Sequence, residues 1–229
     1  MRLLAFDTAS AAISAVAARD EVIVAARGEP LARGHAERIL PLLQEILASA
    51  GWTWREVELV AVTVGPGNFT GLRAGIAVAR ALSLALDCPT LGIGTLEVVA
   101  EAAAGAESVN ELPIQVVVDA KRGQVYAQCF APDLEPWAGP ALLPIAEVAN
   151  SMPVRCLMAG DGAIRLSVLT ERDDRIVRAD TDARCLARAT LRRLAGGALP
   201  APGSVLRPLY LRPPDARLGA GASLLAAQA

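Results

Sequence analysis

Two aspartates, Asp7 and Asp119, each close a short apolar run, Leu3–Phe6 and Val116–Val118. A carboxylate at a strand end is placed to accept hydrogen bonds from backbone N–H groups of the following turn. Gly65-Pro66-Gly67-Asn68-Phe69-Thr70-Gly71-Leu72-Arg73 has the glycine content of a phosphate cradle. The P-loop pattern, however, requires a lysine directly after its last glycine to reach the phosphates. Here five residues separate Gly65 from Gly71, and Leu72 stands where that lysine belongs. Two readings remain. Bare N–H groups at the start of a helix could hold an anion. Alternatively the stretch is a tight strand-to-helix turn capped by Asn68 or Thr70, with Gly71 and Gly75 allowing close backbone approach. His35 is the single histidine; one imidazole cannot build a three-ligand zinc site. It suits helix-start packing or hydrogen bonding, with a catalytic dyad as the alternative. Lys121-Arg122, directly after Asp119, is either a solvated turn or a phosphate contact facing a cleft. Cys88, Cys129, Cys156 and Cys185 are scattered with no Cys-x-x-Cys pair, which fits reduced thiols.

The chain that must position these groups has 229 residues, 53% hydrophobic and 20% charged, enough for one large domain or two lobes with a core each. Lys plus Arg number 22 and Asp plus Glu 24, for a formal charge of −2, and aromatics are only 3%. A protein that grips RNA by itself carries a basic footprint and stacking aromatics. Any RNA is therefore expected to be held by another chain. No run of 18 apolar residues is free of charge, and the start Met1–Asp7 meets an acid early, so neither a membrane span nor a secretory leader is expected. The expected location is the cytoplasm.

Along the chain, Leu3–Phe6, Ile13–Val16 and Val22–Ala25 read as a strand followed by a hairpin. Ala36, Ile39, Leu40, Leu43, Ile46, Leu47 and Ala50 form a helical stripe closed by Gly51 and interrupted by Pro41. Leu59–Val64 reads as a buried strand, Phe69–Leu86 as a helix, Cys88–Ile93 as a strand and Leu96–Ala104 as a helix. Strands alternating with helices predict an α/β lobe. A polar stretch at 105–113 marks a boundary, after which the pattern restarts: strands at Ile114–Val118, Gln124–Phe130, Val154–Ala159 and Arg175–Val177, with helices at Ile164–Leu169 and Ala183–Leu194. The segment beyond Arg212, rich in Gly, Ala and Pro, is expected to be loosely ordered. The predicted helix 69–86 is apolar on most sides. One face can pack on its own sheet, and another either meets a second chain or is buried within the monomer.

In order along the chain, Phe6-Asp7-Thr8-Ala9, Gly34-His35-Ala36-Glu37 leading to Leu40-Pro41, and Gly65–Arg73 resemble the TsaB (YeaZ) family pattern. Val118-Asp119-Ala120-Lys121-Arg122-Gly123-Gln124-Val125-Tyr126, Gly160-Asp161-Gly162-Ala163 and Pro208-Leu209-Tyr210-Leu211-Arg212 continue it, so the match spans roughly residues 2–212. The resemblance implies an α/β, two-lobed actin/Hsp70-like (ASKHA) fold with duplicated βββαβα-type lobes, residues 1–105 and 106–212, and a tail 213–229. It implies a non-catalytic subunit that binds and activates the threonylcarbamoyltransferase TsaD, together with the ATPase TsaE, in making threonylcarbamoyladenosine in tRNA. The same surface would make a homodimer when the chain is alone, and tRNA would be met only through the complex. The helix pair 34–50 and 69–86 would dock, with His35, Ile39, Leu43, Leu72, Arg73, Ile76, Ala77, Val78 and Arg80 as contacts. In working ASKHA enzymes paired aspartates at the mouths of the two lobes hold metal and phosphate. Asp7 and Asp119 occupy that pattern, and Asp7, Thr8, Asp119, Lys121 and Arg122 are the candidates for a nucleotide contact. No cofactor would be required, with ATP or ADP at a subunit interface in the complex. TsaD holds its metal on a histidine pair in the helix after the segment matching 88–94. Here Gly94–Glu101 contains no histidine, so neither a metal site nor catalytic residues are expected. The alternative is an ATP-dependent phosphotransferase or an M22-type glycoprotease-like hydrolase.

Overall fold

A computed structural model describes residues 1–106, 111–172, 176–177 and 179–212. The expected tail 213–229, much of the polar stretch 105–113 and Arg175 of the last predicted strand lie outside the described residues. The first half builds β1 (Arg2–Asp7), β2 (Ala12–Arg19), β3 (Val22–Pro30), α1 (His35–Ala50), β4 (Leu59–Gly65), α2 (Phe69–Leu86), β5 (Thr90–Gly94) and α3 (Thr95–Ala106). The second builds β6 (Ile114–Asp119), β7 (Gln124–Phe130), β8 (Ala141–Pro144), α4 (Ile145–Ser151), β9 (Leu157–Ala159), α5 (Ala163–Thr170), β10 (Ile176–Val177) and α6 (Ala183–Ala195).

The strand orders are β3-β2-β1-β4-β5 and β8-β7-β6-β9-β10. In each sheet the first three strands are antiparallel and the last two join in parallel. The halves therefore follow one path, βββαβαβα, one βα unit longer than the βββαβα-type lobes that the resemblance implied. Each apolar run that ends in aspartate is the central strand of its sheet. β1 is buried from Leu3 to Asp7 because strands flank it on both sides and helices cover both faces. α1 runs unbroken through Pro41, which lies on its exposed side, and ends at Gly51 in the left-handed conformation glycine favours. Two of the predicted strands are shorter than expected. β5 starts at Thr90 because Asp87, with φ 50°, and Pro89 form the preceding turn, and β9 keeps only Leu157–Ala159.

Four apolar clusters fill the layers, and they expose an exchange of helices between the halves. α1 and α2 cover one face of the first sheet, through Ile39, Leu42, Leu43, Ile46, Ile76 and Ala79 against Leu4, Phe6, Val60 and Val62. The other face, Leu3, Ala5, Val16, Leu59 and Ala61, is covered by α6 from the far end of the chain, through Ala183, Leu186 and Ala189. Conversely α3, which follows the first sheet, packs Leu96, Val99, Ala100 and Ala103 on Ile114, Val116, Phe130 and Leu157 of the second. α3 and α6 pack on each other between the sheets, and Glu97 and Glu101 pair there with Arg188, Arg192 and Arg193. Within the stretch 106–212, expected as the second lobe, α6 and the segment up to Tyr210 pack on the first sheet and its helices. Apolar burial, not position in the chain, decides which sheet a helix covers.

Candidate functional site

Between the sheets lies a cleft of about 570 Å³. Its walls are the β1–β2 turn (Ala9, Ser10), the β4–α2 turn (Pro66 to Asn68), the start of α3, the β6–β7 turn (Asp119, Lys121), Asp161, and the segment entering α6 (Asp180, Thr181). Asp7 is not among them. It is 1% exposed, and the hydroxyls of Thr63 and Thr181 donate to its two oxygens at 2.5 and 2.6 Å while the Ala9 N–H donates at 3.1 Å. Burial pushes its carboxyl above the ordinary value, opposed by these donors. Thr8 is fully buried and donates from Oγ1 to the Gly71 carbonyl at 2.9 Å. Two of the five expected nucleotide contacts thus lie beneath the cleft, fastening β1 to its neighbours.

Asp119 and Lys121 do line the cleft, whereas Arg122 does not. Partial burial raises the Asp119 carboxyl, but Lys121, through its N–H and its ammonium at 3.0 Å, and Arg165 at 3.1 Å hold it below the ordinary value overall. Asp161 accepts from the Asp119 N–H at 2.7 Å. Lys121, Arg122 and Gly123 all have positive φ, 63°, 55° and 76°, so two side-chain-bearing residues hold a backbone that favours glycine. Thr95 and Val99, one turn apart on α3, line the cleft as largely buried residues. Among the described residues no group of three or more His, Cys, Asp or Glu side chains could hold a metal ion.

The Gly65–Arg73 stretch resolves in favour of the turn. Asn68 Oδ1 accepts from the N–H groups of Thr70 and Gly71, at 3.1 and 3.2 Å, so these donors, which an anion would need, are occupied. The glycines let α2 approach β1. A Cβ on Gly71 would lie 2.1 Å from the Thr8 carbonyl oxygen, and one on Gly75 2.4 Å from Thr8 Oγ1. His35 sits against this contact, 5% exposed, and its Nε2 has no hydrogen-bond partner among the described residues.

The expected docking residues divide by face. His35, Ile39, Leu43, Leu72 and Ile76 are buried on the inner side of α1 and α2 and cannot reach a partner without unpacking the core. The largest apolar residues of each helix pack on its own sheet. Arg73 and Ala77 are exposed, and Val78 and Arg80 are half-buried. Arg80 donates to the Leu206 carbonyl, fixing the returning segment against α2. The stripe continues through Ala81 to Leu84, which is 87% exposed, and α1 adds Leu40, Pro41 and Gln44. The sequence reading missed Leu40, Ala81 and Leu84, although the steps of four from Arg73 would have found Ala81.

At the head of the stripe the Arg73 guanidinium lies 3.7 Å from the Phe69 ring centroid and its Nε donates to the Tyr210 hydroxyl at 2.9 Å. The Phe69 and Tyr210 rings are 5.2 Å apart. Two residues on, Arg212 donates to Gln124 Oε1 at 2.9 Å and reaches the Lys121 carbonyl at 3.5 Å. Residues 203–212 thereby run as a strap from α2 to the β6–β7 turn.

The duplicated sheets enclosing a cleft, with a helix exchanged between them, define a two-lobed actin/Hsp70-like protein. The same fold is found in inorganic polyphosphate/ATP-glucomannokinase from Arthrobacter sp. strain KM, at a TM-score of 0.51 and 14% identity, covering 86% of this chain and 99% of that one. Residues 26–176 match the family model described as TsaD, tRNA N6-adenosine threonylcarbamoyltransferase. YeaZ from Pseudomonas aeruginosa superposes with a TM-score of 0.80 at 26% identity, covering 92% of this chain and 99% of that one. The tRNA threonylcarbamoyladenosine biosynthesis protein TsaB of Buchnera aphidicola subsp. Schizaphis graminum is 32% identical over 167 residues, 70% of this chain and 78% of that protein. The Escherichia coli K12 protein of the same name is 38% identical over 126 residues; the match takes in 55% of this chain and about half of that relative, 53%. The chain belongs to the TsaB (YeaZ) family.

Proposed function

We propose that this protein is a non-catalytic, cytoplasmic subunit of the machinery that makes N6-threonylcarbamoyladenosine in tRNA. It docks on a TsaD-type threonylcarbamoyltransferase and, with TsaE, activates it. The observation that carries this reading is the outer face of α2: Arg73, Ala77, Ala81 and Leu84 stand exposed along a helix whose inner face is already packed. Small side chains let a partner helix approach closely, and about 800 Å² per partner is the size of a stable contact. Alone, the same face pairs two copies of the chain.

The cleft supports the non-catalytic part. Asp7 is enclosed, Asp119 is already paired with Lys121 and Arg165, and the first N–H groups of α2 are capped. Three carboxylates, Asp119, Asp161 and Asp180, face one ammonium across it, an unfavourable setting for a polyphosphate. ATP or ADP, where it takes part, belongs to an interface of the complex, and tRNA is met through the other subunits, in keeping with the formal charge of −2.

Reconstitution tests this directly. Purified TsaD and TsaE should modify tRNA only when this chain is added, and Ala77→Glu, which suits an exposed helix position, should abolish both co-elution with TsaD and the stimulation. Undiminished binding by the variant would count against the docking face. Metal- and ATP-dependent turnover by the isolated protein would restore the phosphotransferase or hydrolase alternative.

A further inference from the structure

We propose that Arg73 is the carboxylate receptor of the docking face: a guanidinium fixed in advance to take an acidic side chain of the partner protein in a two-pronged hydrogen bond. This rests on the docking reading of α2 and adds the chemistry of the contact. Several exposed or half-exposed arginines are already paired, as Arg27 with Glu45, Arg38 with Glu29 and Glu45, Arg165 with Asp119, and Arg188 with Glu101. Arg73 is not. Among the described residues no carboxylate lies within ion-pair distance of it, and its one hydrogen bond, from Nε to Tyr210, goes to a neutral oxygen.

It is nevertheless held. The guanidinium stacks at 3.7 Å on Phe69, one helical turn before it, and Tyr210 braces both from the side. Tyr210 is in turn fixed by its neighbour Leu209, whose N–H donates to the Val64 carbonyl at 2.7 Å. An arginine ordinarily loses much rotamer freedom when it is fixed at an interface; here the ring stack and the bond to Tyr210 supply part of that ordering before any partner arrives. The two terminal nitrogens remain, in the planar fork that matches a carboxylate. Arginine and tyrosine are also the residue types that dominate interface energetics. The stripe that continues from Arg73, Ala77, Ala81 and Leu84, carries no further charge. A nucleic-acid backbone calls for several cations, so a single fork within an apolar face points to a protein carboxylate.

The test is association of the full chain with the TsaD-type transferase by calorimetry at low and high salt, for wild type, Arg73→Gln, Arg73→Lys and Tyr210→Phe. Arg73→Gln should weaken binding roughly 10- to 100-fold, the range for a charged hydrogen-bonded pair, and flatten the salt dependence. Arg73→Lys should keep the salt dependence while losing most of the affinity, because an ammonium has no fork. Tyr210→Phe keeps the stack but frees Nε, so it should fall between wild type and Arg73→Gln. All four should share one thermal melt. Wild-type affinity and salt slope in Arg73→Gln would overturn the inference and leave the docking reading standing. Failure of wild type to bind overturns both. Binding of tRNA by the isolated chain that is lost in Arg73→Gln would assign the fork to phosphate and overturn the protein-carboxylate reading.

Discussion

Asp7 has the residue type and strand-end position of a chemical group, and its surroundings commit it to architecture. Thr63 on β4 and Thr181, 174 residues away at the entrance to α6, donate to its two oxygens. The carboxylate therefore joins two strands and the returning helix. Burial raises its pKa in the folded state, with Asp182 adding in the same direction. The folded protein thus holds the Asp7 proton more tightly than the unfolded chain does. That contribution is full below the unfolded pKa and is lost as pH rises through the folded value. Asp7→Asn should accordingly show a shallower fall in stability with rising pH than wild type, read by urea unfolding between pH 4 and 8; parallel curves would contradict it. Asp7→Ala, which strands two buried hydroxyls, should cost about 1–3 kcal/mol. The residue type was legible in the sequence. Its orientation was not, because Thr181 reaches it only through the path of the whole chain.

The glycines of α2 show how an element carries information that its periodicity hides. An interior helical Gly→Ala change ordinarily gains about 1 kcal/mol. At Gly71 the added Cβ would meet the Thr8 carbonyl oxygen at 2.1 Å, backbone that cannot swing away. Gly71→Ala should instead lower stability by about 1–3 kcal/mol, seen as a lower thermal midpoint; a raised midpoint would show that β1 can retreat. The span of α2, Phe69–Leu86, and its cap Asn68 were readable from the sequence. Its outer face was not, because a helix apolar on most sides gives no signal for which side meets its own sheet, and the inner positions, Leu72 and Ile76, are the bulkier ones. β8 and α4 went unread for a related reason: Ala141–Pro144 is a four-residue strand, and the seven-residue helix that follows offers too few turns for a periodic stripe.

For the molecule as a whole, the duplication was visible in two apolar runs ending in aspartate, while the exchange of α3 and α6 left no local trace, since packing across the chain writes no period into it. The strap from α2 to the β6–β7 turn is a second link between the lobes. Arg212→Ala should raise amide hydrogen exchange at 119–126, where the turn loses its brace, and leave β1 and β4 protected as before; unchanged exchange at the turn would mean the strap carries no load. The helix exchange also has a consequence for how the protein is made. The face of the first sheet bearing Leu3, Ala5, Val16, Leu59 and Ala61 waits for α6, which begins only at Ala183. At a synthesis rate of about 5–20 residues per second, the interval from β5 to the end of α6 lasts roughly 5–20 s. For that time this apolar sheet face is covered only in part, by Val98 of α3, and it closes only when α6 has emerged.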